Sequence, residues 1–321
     1  MMHRFSIFVL SILVVSGCES SITGNAGQLR FAYDSNEDVF NFNKPIAVGA
    51  TLDLRVTDFS DQRDAFVIAA STKDPEVIQV ADFTGNTLTL IASGDGSTLV
   101  KVSANDHMGI ERDDSVNMMA REVEVLRMEH TCTDDLEGHY LTGHRVRVPF
   151  ELELDDGNPL IGDGFYPVTD EPAGQITIDR TVREQEWMII DTGNQAGVVS
   201  LRSDVDATRL DLAIVPPEAI DGASLPFGAP SSVRRGGSAL LWVLPTANGR
   251  PICQGITERS VETLTPEICT VRNAVGAAEG SNEGRHESGW IELQGHQNGT
   301  CQYRVRYPAS GASADLMVQV R

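Results

Sequence analysis

Short runs of alternating apolar and polar residues follow one another along most of the chain. Between Gly, Asn and Asp residues, the stretches LDLRV (52–56), TLTLIA (87–92) and RLDLAIV (209–215) alternate with a period of two. This is the period of a strand that buries one face. No segment keeps a helical period over three turns, so the pattern predicts an all-β protein.

Further segments show the same short, β-branched character. They are VIQV (77–80), TLVKVSA (98–104), FELEL (150–154), QITID (175–179), WMIID (187–191), ALLWVL (239–244), WIELQ (290–294), CQYRVRY (301–307) and DLMVQV (315–320).

The strand pattern repeats about every hundred residues. A strand, a polar turn and a glycine precede another alternating strand at Gly96, Gly197 and Gly299, which are 101 and 102 residues apart. A second landmark, a strand followed by an x-Gly-x-Pro turn, recurs at Gly157 and Gly249. A unit of this length with about seven short strands has the size of one immunoglobulin-like sandwich. The sequence therefore predicts three tandem immunoglobulin-like β-sandwich domains.

The N-terminus has the pattern of an export signal. One arginine, Arg4, precedes the apolar run from Phe5 to Val15, which at about 1.5 Å per residue is far shorter than the roughly 30 Å bilayer core. The run ends in V-S-G-C, with the cysteine at position 18, and this motif resembles the lipobox of bacterial lipoproteins. In that family the cysteine thiol carries diacylglycerol, and the chain is cut before the cysteine and acylated there. The resemblance implies lipid attachment at Cys18.

A second resemblance covers residues 46–126. IAVGATLDLRV, STKDPEVIQV, SGDGSTLVKVSANDH and REVEVL look like the bacterial immunoglobulin-like domains of adhesin and invasin type. That family implies the sandwich fold and an extracytoplasmic setting, but no fixed ligand. We expect a signal peptide at 1–17, a lipidated flexible tether at 18–27, and domains at 28–127, 128–222 and 223–321.

The net charge of −21 argues against nucleic acid as a partner. We expect a monomer held by its N-terminal lipid, without a cofactor. The resemblance to bacterial lipoproteins also implies, from the glutamate after Cys18, sorting to the outer membrane, where we expect the chain to face the periplasm or the cell surface. The sequence contains no G-x-S-x-G, no H-E-x-x-H and no phosphate loop after a strand. We therefore expect a binding, adhesion or spacer module with a protein or glycan ligand. An envelope hydrolase with a dispersed site and a passive stalk are the alternatives.

Four cysteines remain after Cys18 is assigned to lipid. An even number in an exported chain predicts two disulfides. Cys269–Cys301 is the first choice of pair, and Cys253–Cys301 is nearly equal to it. Cys132 then either bridges two domains or stays a free thiol.

Two sets of residues have the chemistry of metal ligands. His130, Cys132, His139 and His144 are ligand types that zinc accepts, but the set lacks a paired C-x2-C. Asp134 and Asp135, beside the first domain junction, are weak candidates for calcium. Solvated turn residues are the simpler interpretation, and we expect no metal.

One long segment, residues 273–289, is an insertion relative to the first two repeats. It is rich in glycine and ends with Arg285, His286 and Trp290. Long loops on rigid scaffolds are often functional. These three residues are the predicted contact site.

Overall fold

The structure is a computed structural model that describes residues 21–33, 44–135, 137–181, 186–225, 229–254, 258–274 and 289–321. In this part of the chain the one helical element is a 3₁₀ turn, Pro217–Ala219. No helix among these residues has the length and apolar character needed to span a membrane. The chain divides into two compact units, the first ending at Arg121 and the second beginning at Glu122.

The first unit is a sandwich of two sheets. Its strands are β1 (Ser21–Thr23), β2 (Leu29–Tyr33), β3 (Ile46–Ala47), β4 (Thr51–Asp58), β5 (Phe66–Thr72), β6 (Ile78–Thr84), β7 (Thr87–Ala92), β8 (Gly96–Asn105) and β9 (Glu111–Arg121). One sheet has the order β1-β2-β4-β7-β6 and the other β3-β9-β8-β5. Alternate residues point inwards, as in β7, where Leu88, Leu90 and Ala92 are buried.

The second unit contains two further sandwiches. Strands of the first of these are β10 (Val125–Met128), β11 (Glu137–Leu141), β12 (Arg145–Glu153), β13 (Val168–Glu171), β14 (Thr177–Ile178), β15 (Trp187–Asp191), β16 (Gly197–Ser203) and β17 (Arg209–Val215). Strands of the other are β18 (Gly222–Ser224), β19 (Ser232–Val233), β20 (Ser238–Trp242), β21 (Leu244–Ala247), β22 (Arg250–Gln254), β23 (Ser260–Thr263), β24 (Cys269–Asn273), β25 (Trp290–Gly295), β26 (Gly299–Tyr307) and β27 (Ala312–Val320).

The three sandwiches share one strand pattern. In each, the last strand forms an antiparallel hairpin with the strand before it, as β8–β9, β16–β17 and β26–β27 do. In each, that last strand also pairs in parallel with a short early strand, giving the pairs β3–β9, β11–β17 and β19–β27. The all-β prediction of three tandem immunoglobulin-like sandwiches is confirmed.

The repeated glycines have the same role in all three sandwiches. Gly96, Gly197 and Gly299 open strands β8, β16 and β26 with φ values of 147°, 156° and 151°. A Cβ at any of them would lie only 2.7–3.1 Å from a side chain just before strand β6, β14 or β24. Positive φ and close approach both require glycine. The 101- and 102-residue intervals therefore mark a structural repeat.

A hairpin of the third sandwich joins the sheet of the second. The segment predicted as one strand, ALLWVL, is broken at Val243, where β20 ends and β21 begins on another sheet. The hairpin β21–β22 extends the second sandwich through β22, which pairs in parallel with β11. The resulting seven-stranded sheet has the order β13-β16-β17-β11-β22-β21-β18. The ranges predicted as the second and third domains therefore share one sheet.

The start of the described chain is held in place by one carboxylate. β1 pairs with β2, and Asp114, which is 6% exposed, accepts hydrogen bonds from the backbone N–H groups of Ala26, Gln28 and Leu29 at 2.7–2.9 Å. The flexible tether predicted for residues 18–27 is therefore wrong for residues 21–27, while residues 18–20 lie outside the described part. The tether prediction missed an acceptor that lies almost ninety residues away along the chain.

We expect Asp114→Asn to destabilise the first unit by about 1–3 kcal/mol, because an amide replaces one of two fully used acceptor oxygens. Burial alone raises the pKa of Asp114, but its four backbone N–H bonds, one of them from Ser115, bring the net pKa below the ordinary value. The stability that the ionised Asp114 carboxylate contributes to the wild type should therefore be complete above the unfolded pKa of about 4. It should be lost as the pH falls below that value towards the lower pKa of the folded state.

Urea unfolding followed by far-UV circular dichroism at pH 7 and pH 3 measures both effects. Asp113→Asn is the matched control, because the exposed Asp113 carboxylate contacts only the Ser103 hydroxyl among the described residues. Equal stability of the two variants at pH 7 would show that Asp114 does not anchor the hairpin.

Candidate functional site

A groove of about 790 Å³ crosses one sheet of the second unit. It follows the edge strand β10 and continues over the adjacent ends of β12 and β15. Its lining consists of residues 125–129, 149–151, 186, 187 and 208, all within this unit. The volume lies within the range of about 300–1,000 Å³ that is usual for ligand sites.

Strand register places five side chains of the groove on the same outer face. Arg127 lies directly opposite Glu151, and Pro149 lies directly opposite Trp187. Glu129 follows Arg127 by two residues and its N–H donates to the Pro149 carbonyl at 3.3 Å. Because side chains alternate along strands, these residues share the solvent face, while Leu126, Met128 and Phe150 belong to the opposite face.

Trp187 and Pro149 form the apolar part of this outer face. Both are half-buried, and they are neighbours across the β12–β15 pair. Trp187 is the first residue of β15, and the N–H of Phe150 donates to the carbonyl of Glu186 at 3.0 Å. Pairing with β12 therefore positions the backbone that carries the indole.

The guanidinium of Arg127 is held by an ion pair, and exposed glutamates lie beside it. Arg127 Nε donates to Glu153 Oε2 at 2.7 Å, and this bond, with the charge of Glu153 and of Glu151, raises the pKa of Arg127. Glu129 and Glu151 are exposed beside it. The outer face thus combines one oriented guanidinium with carboxylates around an apolar centre.

One wall of the groove is fixed by Asp206. Its carboxylate accepts the N–H of Leu126 at 3.0 Å and that of Thr208 at 2.9 Å. Burial alone raises the pKa of Asp206, but these hydrogen bonds and those from the Ser203 and Thr208 hydroxyls lower it on balance. The β16–β17 turn is therefore tied to strand β10. The groove offers donors, acceptors and an aromatic surface on a rigid support, which is an arrangement suited to recognition.

The predicted contact loop is only partly described. Arg285 and His286 lie outside the described residues. Trp290 opens β25, and its ring stacks on Trp242 with centroids 6.4 Å apart. The guanidinium of Arg259 donates to the carbonyl of Trp290 at 2.7 Å and to Asn273 Oδ1 at 3.1 Å. Burial lowers the pKa of Arg259. Trp290 thus belongs to a cluster with Trp242 and Arg259 in the third sandwich.

All four predicted disulfide cysteines are bonded in pairs. Cys269–Cys301 joins strands β24 and β26 within the third sandwich, and it is the first of the two alternatives from sequence. Cys132 pairs with Cys253, 121 residues away, and therefore bridges the second and third sandwiches. The alternatives of a Cys253–Cys301 pair and of a free Cys132 do not occur, because Cys253 and Cys132 are bonded to each other. Cys18 lies outside the described residues.

The histidines considered for zinc contact protein groups. His130 Nδ1 lies 2.8 Å from the Tyr140 hydroxyl, and His144 Nδ1 lies 2.7 Å from the Thr142 carbonyl. His139 is buried in β11, and Cys132 is a disulfide and offers no thiolate. Asp134 and Asp135 are exposed. Across the described ranges, no three His, Cys, Asp or Glu side chains are placed to hold a metal ion.

Comparison by sequence finds no matching family model and no matching curated protein. Similar solved structures include domains 4–9 of surface layer protein SbsC, at 15% identity over 94% of this chain and 46% of that one, with a TM-score of 0.30. Another is SGBP-B of the Bacteroides ovatus mixed-linkage glucan utilization locus in complex with a heptasaccharide, at 12% identity over 91% and 70% of the two chains (TM-score 0.24).

A third similar structure is a set of titin domains, at 15% identity over 92% of this chain and 98% of that one, with a TM-score of 0.21. The chain spans less than half the length of the surface-layer fragment. These scores are low, so the assignment of three sandwiches rests on the strand pairing of the chain itself.

Sequence reasoning missed the groove. Most of its residues come from the three strands β10, β12 and β15, the lining spans more than eighty positions from Val125 to Thr208, and none of these residues forms a known motif. The available signal was a tryptophan at the start of a strand, in EQEWMIID, together with the exposed Glu151 of FELEL.

We expect loss of the Cys132–Cys253 bridge to destabilise the second unit alone. A bridge that closes so long a segment is worth about 2–5 kcal/mol. The double variant Cys132→Ala, Cys253→Ala should have a free energy of unfolding that is lower by that amount. Urea unfolding followed by tryptophan fluorescence measures it. All three tryptophans, at positions 187, 242 and 290, lie in this unit.

Hydrogen exchange in β8 and β9 of the first unit is the control, because all four bridging cysteines lie after residue 121. An unchanged fluorescence transition, or faster exchange in β8 and β9, would contradict a bridge that acts within the second unit.

Proposed function

We propose that the chain is an extracytoplasmic lipoprotein whose lipid at Cys18 holds a binding module at a bacterial membrane. The pairing of cysteines is the observation that carries this proposal. Four of the five cysteines form two disulfides, which persist in oxidising compartments and are rare in the cytosol. Cys18 is the one left over, and it stands in the lipobox-like V-S-G-C.

A doubly or triply acylated N-terminus would anchor the chain stably, since each buried CH₂ contributes about 0.8 kcal/mol and a single chain holds only marginally. The lipidated residue would lie only a few positions before β1, the first strand of the first sandwich. We place the protein at the outer membrane, facing either the periplasm or the exterior.

The groove on the second unit favours binding over a passive spacer. Its outer face carries a half-buried tryptophan and an arginine oriented by a buried glutamate, at positions that a spacer would not need. Tryptophan and arginine are the residues that most often dominate binding surfaces. The sandwiches would serve as the scaffold that carries this face.

We expect labelled palmitate to be incorporated into the wild-type protein, which should fractionate with the membranes. The Cys18→Ala variant should carry no label and should appear in the membrane-free fraction. Only the thiol of Cys18 can receive the diacylglycerol. Labelling in cells followed by membrane fractionation and gel autoradiography measures both properties.

Cys132→Ala is the matched control, because it also removes one cysteine but should keep both label and membrane association. Label that persists in Cys18→Ala, or that is absent from the wild type, would overturn the lipoprotein assignment.

A further inference from the structure

We propose that the groove on the second unit binds a neutral saccharide, with a sugar ring lying on Trp187. This inference rests on the binding role proposed above and names its ligand class. It is carried by the composition of the outer face, where an aromatic platform is surrounded by donors and acceptors.

The platform fits the apolar face of a pyranose. The indole face carries the negative end of a quadrupole, and the axial C–H bonds of a sugar present partial positive charge to it. Pro149 lies directly opposite Trp187 across the strand pair and extends the platform without adding a polar group. A half-buried indole on the face of a sheet suits a flat sugar ring better than it suits a compact side chain.

The rim supplies hydrogen bonds of both kinds. Sugar hydroxyls donate and accept, so they need acceptors and donors within reach of the same ring. Glu129 and Glu151 are exposed acceptors, and Arg127 is a planar donor that Glu153 holds in one orientation at 2.7 Å. Thr208 adds a hydroxyl at the opposite wall.

The charges decide which saccharides fit. Among the described residues of the lining, three glutamates (Glu129, Glu151 and Glu186) outnumber the guanidinium of Arg127, so a uronic acid, a sulfated glycan or a nucleic acid would meet repulsion. A basic peptide would be attracted to the glutamates, but Arg127 stands among them opposite Glu151, where it would repel such a peptide. A neutral, hydroxyl-rich ligand uses the acids and the arginine together.

The support is rigid, which reduces the cost of ordering the site on binding. Asp206 ties the β16–β17 turn to strand β10, and the pairing of β10, β12 and β15 fixes the spacing of the side chains. The volume of about 790 Å³ has room for more than one sugar ring.

Affinity electrophoresis of the full-length chain, purified from membranes in detergent, tests the proposal. The gels contain a β-glucan, a xylan, a mannan or a dextran as neutral probes, polygalacturonate as an anionic probe, or no polysaccharide. At least one neutral probe should retard the wild type, and polygalacturonate should not. Raising NaCl from about 50 to about 500 mM should leave the retardation nearly unchanged, since no net charge is neutralised.

Trp187→Ala should weaken the binding about tenfold or more, and Trp187→Phe should retain most of it because a ring remains. Phe66→Ala is the control. Phe66 is also an accessible aromatic residue and is also the first residue of its strand, yet it belongs to the first unit, whereas all lining residues of the groove belong to the second. Its variant should bind like the wild type, and thermal melts of all variants show that they are folded.

Several results would overturn the proposal. They are the absence of retardation by every neutral probe, equal affinity of Trp187→Ala and the wild type, loss of binding in Phe66→Ala with retention in Trp187→Ala, or salt-sensitive binding of an oligolysine peptide at this groove instead. Palmitate labelling at Cys18 is read independently, so a failure of saccharide binding leaves the lipoprotein assignment standing.

Discussion

Strand β11 is the element on which the second unit depends. It pairs in parallel with β17 of its own sandwich and with β22 of the next one. Four of its five residues are buried. Tyr140, at 0% exposure, has its hydroxyl 2.8 Å from His130 Nδ1, so even the polar atom of this core residue has a partner. Because β17 and β22 both pair with β11, separation of β11 from either strand would open the sheet that the two sandwiches share.

The same junction supports the groove. Gln254, the last residue of β22, is only 3% exposed. Its side-chain amide accepts the N–H of Arg147 at 2.6 Å and donates to the carbonyl of Arg147 at 2.6 Å. Gln254 thus mimics a strand partner for β12, which carries Pro149 and Glu151. With the Cys132–Cys253 bridge beside it, the third sandwich holds in place a strand that lines the groove of the second.

Local pattern predicted the strands well, because alternation depends only on which face is buried. WMIID and RLDLAIV coincide with β15 and β17, and the three repeat glycines open equivalent strands. Features that depend on distant partners were not predictable. The pairing of β1 needs Asp114, and the sheet exchange at Val243 needs β11 as its acceptor. The groove was invisible for the same reason, since Arg127, Pro149 and Trp187 become neighbours only through pairing.

Native-state hydrogen exchange in β11 tests most directly whether the second unit is one cooperative body. The amides of His139, Tyr140 and Leu141 should exchange only on global unfolding of the unit, with the same free energy as those of Tyr303 and Val305 in β26. Exchange in β11 at the much lower free energy typical of turns, while β26 stays protected, would show that the sandwiches open separately and would contradict the shared-sheet account.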